Sequence, residues 1–85
     1  MTHELMELNS ASAAADVRYD RLARKARALW RALNHGPVDQ VRPTVEEYRA
    51  ASRAAIDARR RADRLAEQLT LAMARETVRA GAVYL

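Results

Sequence analysis

The segment His3-Glu4-Leu5-Met6-Glu7 carries residue types that could bind a metal, since histidine and carboxylate side chains are zinc ligands. A catalytic zinc helix places a second histidine four residues after the first, and here Glu7 stands at that position. No third ligand follows nearby, and a chain of 85 residues leaves little room for a cleft around a metal. We therefore predict no catalytic residue, no metal site and no cofactor, and we expect a protein that is not an enzyme.

Arginine is the second residue type that could form a functional site, because its guanidinium group pairs with phosphate oxygens. The chain has 15 Lys+Arg against 11 Asp+Glu, and the surplus is concentrated in residues 18–31 and 49–64. A nucleic-acid interface would use six of these side chains as phosphate contacts: Arg18, Arg21, Arg24, Arg53, Arg60 and Arg64. No aromatic residues are interleaved with them on the polar faces of the helices for base stacking, so a solvated or protein-docking surface is the preferred interpretation.

The first element that positions these side chains is an amphipathic helix. Apolar or small residues recur at steps of three and four, which is a heptad pattern: Leu5, Leu8, Ser12, Ala15, Tyr19, Leu22, Ala26, Leu29 and Leu33. Gly36-Pro37 predicts the end of the helix. The sequence predicts this helix over 11–35 with a frayed segment at 1–10 or, alternatively, a start near residue 4. A turn follows over 36–43.

A second helix is predicted over 44–80. Thr44 and Glu47 have the spacing of a capping box at its start, and Gly81 follows its end, with an apolar tail over 81–85. Its heptad stripe is Tyr48, Ala51, Ala55, Ala58, Ala62, Leu65, Leu69 and Ala72. Val45, Ile56, Ala66 and Met73 widen the apolar side beyond this stripe.

The short connection predicts that the two helices pack antiparallel, as an all-α helical hairpin of the alanine-rich coiled-coil type. With the turn centred near residue 39, Leu22 faces Ala55 and Tyr19 faces Ala58, so large side chains lie opposite small ones, which allows a close approach. At the two ends Leu29 faces Tyr48 and Leu8 faces Leu69. Nineteen of the 85 residues are alanine, which buries little area, so we expect oligomerisation or a partner to complete the fold.

A lone hairpin leaves one side of the apolar band of each helix uncovered, so apolar residues of these bands and of the tail are the candidates for a partner-binding surface. They lie near both ends of the chain: Leu5, Leu8, Leu69, Met73, Val78, Val83 and Leu85. Trp30 follows Leu29 close to the turn, where we expect it to pack near Val45 and Tyr48 as a core or staple residue rather than in a ligand site. The alternative is a partner interface, where tryptophan is enriched.

Met1-Thr2, Gly36 and the segment Pro43-Thr44-Val45-Glu46-Glu47-Tyr48 resemble the layout of one family, the small co-chaperones of type III secretion needle subunits. Members of that family are helical hairpins of similar length. The resemblance covers most of the chain in layout and a few residues in motif. It implies a cytoplasmic adapter that docks with a helical-repeat chaperone and keeps an aggregation-prone subunit monomeric.

The leading hypothesis is a chaperone- or adapter-like hairpin that binds a partner protein, or its own copy, through the apolar seam. A nucleic-acid-binding basic hairpin is the second hypothesis, and a small protein inhibitor or phage-type regulator is the third. Glu4 and Glu7 stand where a signal peptide would be basic, so we expect a cytoplasmic protein. No run of apolar residues approaches the length of a membrane span, so we expect no membrane association.

Overall fold

The computed structural model describes residues 2–35 and 43–81 and contains two long helices. Helix α1 spans His3–His35 and helix α2 spans Val45–Gly81. The helices lie side by side as a hairpin whose Cα atoms extend over 71 × 15 × 15 Å. The predicted all-α helical hairpin is therefore confirmed. The predicted turn at 36–42 and the tail at 82–85 lie outside the described residues.

Helix α1 begins at His3, which is the earlier of the two starts that the sequence allowed. Thr2 caps it, because the Thr2 hydroxyl accepts a hydrogen bond from the Leu5 backbone N–H at 3.2 Å. The first helical backbone bond runs from the Met6 N–H to the Thr2 carbonyl at 3.0 Å. Residues 3–10 thus continue the helix instead of forming a separate segment before a cap near residue 11.

Helix α2 begins with the capping box that the sequence predicted. The Thr44 hydroxyl accepts from the Glu47 N–H at 3.1 Å, and a Glu47 carboxylate oxygen accepts from the Thr44 N–H at 2.9 Å. Two backbone donors that the helix itself cannot satisfy are paired in this way. The last turn contains Arg79, whose positive charge is favourable near a helix C-terminus.

The seam between the helices is made mainly of alanine. The buried residues are Leu5, Ser12, Ala15, Ala51, Ala55, Ala58, Ala62 and Ala72, and they all belong to the two predicted heptad stripes. The other members of both stripes are half-buried. Small side chains let the two backbones approach closely, which explains how a hairpin with no fully buried large side chain among its described residues stays closed.

The register of the hairpin also follows the prediction. Leu5 shares a surface depression with Ala72, Leu29 shares one with Glu47, and the Trp30 ring contacts the Tyr48 ring. Residues at the same level of the two helices therefore have numbers that add up to 76–78. This relation gives the level of every other side chain along the hairpin.

Candidate interaction surfaces

One side of the hairpin is rich in positive charge. Shallow depressions between the helices on this side are lined from α1 by Ala11, Arg18 and Lys25 and from α2 by Ala54, Arg61 and Arg75. Glu47 lines the depression at one end of this side, and Glu4 and Glu76 line the depression at the other end, so the positive charge is greatest in the middle. We call the side that carries Arg18, Lys25, Arg61 and Arg75 the basic face. Arg18 and Arg61 line the same depression, whose other lining residues are alanines. Two guanidinium groups over a small apolar floor form a positively charged groove.

The opposite side of the hairpin carries most of the large exposed apolar side chains. Residues seven apart share a face of a helix in a coiled coil, so Asp16 and Ala23 lie in the row of Trp30, while Ser52, Arg59, Ala66 and Met73 continue the row that starts at Val45. These two rows flank the seam on the side away from the basic face, and each contains one charged residue, Asp16 or Arg59. We call this side the apolar face for its five large side chains that are each exposed by more than half: Trp30, Val45 and Met73 in the rows, and Met6 and Ile56 one heptad position further outward. Three further large apolar side chains with this exposure, Val17, Leu71 and Val78, lie elsewhere.

Trp30 is the largest apolar side chain on this face. Its ring centroid lies 5.3 Å from that of Tyr48, with an angle of 44° between the ring planes. The predicted packing beside Tyr48 is therefore present, but Trp30 is 52% exposed, so it is a staple at the surface and not a core residue. The alanine-rich seam is too narrow to enclose an indole, which leaves one ring face to solvent.

The predicted partner-binding residues do not form one surface. Leu5 is only 7% exposed, so its assignment to partner binding was wrong: the side chain packs inside the seam. Leu8 and Leu69 are half-buried in the same seam. Met73 is exposed on the apolar face, and Val78 is exposed beside Leu71 toward the basic face. Val83 and Leu85 lie outside the described residues.

All six predicted phosphate-contacting arginines are exposed, but they do not converge. Arg18, Arg21 and Arg64 lie on or next to the basic face. By the helical repeat, Arg24, Arg53 and Arg60 lie on the outer surfaces, away from the seam, and Arg24 pairs with Asp20 at 2.9 Å. The prediction left out Lys25, Arg61 and Arg75, which the structure places on the basic face. The heptad repeat was the signal that could have found them, since Lys25 lies seven residues after Arg18 and Arg75 lies fourteen after Arg61.

The ion pairs of the described residues are local and exposed. His3 pairs with Glu7 at 2.9 Å, Asp20 with Arg24 at 2.9 Å, and Glu76 with Arg79 at 4.0 Å. Each pair lies within one helix, and none in residues 2–35 and 43–81 joins α1 to α2. The hairpin is therefore held by its seam rather than by charge pairing, because exposed ion pairs contribute little. The same residues hold no group of three metal-ligating side chains.

Comparison with known proteins identifies no relative: no family model, no curated protein and no solved structure matches this chain. Neither α1 nor α2 contains a segment that is apolar over the length needed to cross a lipid bilayer. The functional argument therefore depends on the two faces of the hairpin.

Proposed function

We propose that this protein is a non-enzymatic protein–protein interaction module that binds its partner through the apolar face. The observation that carries the proposal is the uneven distribution of exposed apolar side chains, since five of the eight large ones lie on this face. They lie at three levels of the hairpin: Trp30 and Val45 near one end, Ile56 near the middle, and Met6 and Met73 near the other end. Large apolar side chains exposed on one side of a rod are typical of a binding surface. An exposed tryptophan at one end of the face adds to the support, because tryptophan is enriched among residues that dominate binding energy.

The seam itself is not the binding surface in this proposal. The sequence led us to expect binding through the heptad stripes, but these are occupied by the contact between α1 and α2. The flanking rows, which run from Val45 to Met73 and include Trp30, take this role. The adapter function implied by the resemblance to needle-subunit co-chaperones is a narrower form of the same proposal, and so is the inhibitor or regulator hypothesis.

A matched pair of substitutions tests the proposal. Ile56 and Leu71 are 51% and 55% exposed, but only Ile56 lies on the apolar face. We expect Ile56→Arg to abolish association with whatever protein copurifies with the wild-type chain, its own copy included, whereas Leu71→Arg leaves the association intact. If both variants retain the same associated protein, the apolar face is not the binding surface.

A second candidate function, nucleic-acid binding, is supported by the basic face. Arg18 and Arg61 line one groove and make no ion pair within the described residues. Phosphate contacts of this kind give an affinity that falls steeply with salt. We expect Arg61→Glu to weaken binding to duplex RNA or DNA more than Arg53→Glu on the outer surface does. Absence of binding by the wild type at about 50 mM salt would reject this candidate.

A further inference from the structure

We propose that the apolar face is covered by a second copy of this chain, so that two parallel hairpins form a four-helix bundle with both turns at the same end. This inference rests on the proposed function and names the partner. In such a bundle a two-fold axis runs along the hairpins, and α1 of each copy packs against α2 of the other. Residues at equal levels of the two helices then meet across the interface.

The exposed surface area of the hairpin is large enough for a second copy of the chain to cover one face. A compact monomer of 9.6 kDa exposes about 5,100 Å², whereas this chain exposes 6992 Å². The difference of about 1,900 Å² is what an elongated hairpin leaves exposed relative to a compact globule. Helices α1 and α2 run side by side over about 30 residues, or roughly 45 Å, so one face about 15 Å wide offers roughly 700 Å². This lies within the range of about 600–1,000 Å² that each partner buries in an interface of standard size.

The levels of the flanking rows match across a parallel interface. Trp30 of one copy contacts Val45 of the other near the turn end. Two helical turns closer to the termini, Ala23 contacts Ser52. Toward the termini, Asn9 meets Ala66. Large apolar groups thus contact each other at the turn end, and small groups meet where the helices must approach closely. Met6 and Met73 contact each other across the interface at the end of the bundle near the chain termini.

Charge complementarity selects the parallel arrangement over the antiparallel one. Asp16 and Arg59 are charged members of the flanking rows, and they make no ion pair in the described residues. In the parallel bundle Asp16 of each copy meets Arg59 of the other, which gives two symmetric ion pairs. A fully overlapping antiparallel dimer instead brings Arg59 against its own copy and Asp16 close to Asp20, and like charges in contact disfavour that arrangement.

The first test is the mass of the protein in solution with a matched pair of variants. Ala23 and Ala54 lie at the same level of the hairpin and are both half-buried, but Ala23 flanks the apolar face and Ala54 the basic face. We expect light scattering to show a wild-type dimer, Ala23→Arg to weaken dimerisation at least about tenfold, and Ala54→Arg to leave it unchanged. Circular dichroism confirms that both variants keep their helix content.

A wild-type monomer overturns the inference, and so does a dimer that Ala54→Arg disrupts and Ala23→Arg does not. Either result is separable from failure of the proposed function. A monomer that retains a different protein through Ile56 leaves the proposed function standing and removes only the second copy as its partner. The single tryptophan gives an independent readout, because Trp30 becomes more exposed and its emission shifts to the red when a dimer dissociates on dilution.

The second test concerns the charge pair. Asp16→Arg and Arg59→Asp each place like charges at both symmetric contacts, so we expect each variant alone to dimerise about two- to tenfold more weakly. A mixture of the two variants restores opposite charges at both contacts. We therefore expect heterodimers to make up clearly more than the one half of all dimers that random pairing gives. A heterodimer fraction of one half overturns the assignment of this pair.

The orientation is tested by a distance between the two copies. The chain has no cysteine, so Arg31→Cys provides a single attachment point for a spin label near the turn end. The parallel bundle predicts a label separation of about 25–30 Å, which is the width of a bundle of helices 8–10 Å apart plus the label arms. A separation of about 45 Å is what the helical rise gives for an antiparallel dimer, and it overturns the parallel arrangement.

Discussion

Replacing Leu5 by alanine tests whether the first turns of α1 are part of the folded hairpin. Leu5 is 7% exposed, against Ala72 on α2, and its neighbour Met6 is 56% exposed. Burial of a leucine side chain is worth about 1.5–3 kcal/mol, and Leu→Ala substitutions in cores cost about 2–5 kcal/mol. Leu5 lies near one end of the rod, where neighbours can collapse into the space, so we expect a loss of about 2 kcal/mol.

The assay is urea unfolding followed by circular dichroism at a fixed protein concentration, since association makes the apparent stability depend on concentration. Leu71→Ala is the matched control, because Leu71 has the same chemistry, lies within α2 and is 55% exposed. We expect the control to change the free energy of unfolding by less than about 0.5 kcal/mol. The melting temperature of Leu5→Ala should fall by about 8–16 °C, and that of the control should change little.

An equal loss in the free energy of unfolding for Leu5→Ala and Leu71→Ala would contradict this prediction. If Leu5→Ala costs no more than Leu71→Ala, the side chain at residue 5 gains nothing from α2 in solution. The first turns of α1 would then be frayed, as the alternative start near residue 11 implied. Amide hydrogen exchange at residues 6–10 gives the same answer by an independent route, since a docked helix protects these amides.

Further predictions concern the cap and the seam. Thr44→Ala removes half of the capping box with Glu47 and should cost about 1 kcal/mol in thermal unfolding. Thr77→Ala is its control: the Thr77 hydroxyl only donates to a carbonyl within the helix, so the substitution should be neutral or stabilise by up to about 0.6 kcal/mol. Equal losses would contradict the capping argument. Ala62→Leu inserts three carbons where Ala62 is 5% exposed and should destabilise the hairpin by about 1–3 kcal/mol in urea unfolding. A more stable variant would show that the seam tolerates a wider helix spacing.

The two exposed faces differ in how far the sequence revealed them. The row from Val45 to Met73 was recognised as apolar because its members repeat at helical spacing. The exposure of Met73 was predicted, but that of Val45 and Ile56 was not, since a flanking row is buried or exposed according to the width of the seam beside it. The predicted set of basic residues included Arg18 on the basic face, but it left out Lys25, Arg61 and Arg75 and included three outward-pointing arginines. Net charge in a segment does not state which side of a helix carries it.

The sequence by itself determined the helices, their seam and their register, because heptad spacing, a capping box and strong helix formers are local signals that all agree. Thr44 and Glu47 defined the start of α2, and the alanine stripe of α2 specified what α1 packs against. Only the tertiary structure decided that Leu5 is buried and that Trp30 is half-exposed. Both outcomes depend on the distance between the two helix backbones across the alanine seam. At this distance the seam encloses the Leu5 side chain at its edge, but it does not enclose the larger indole of Trp30.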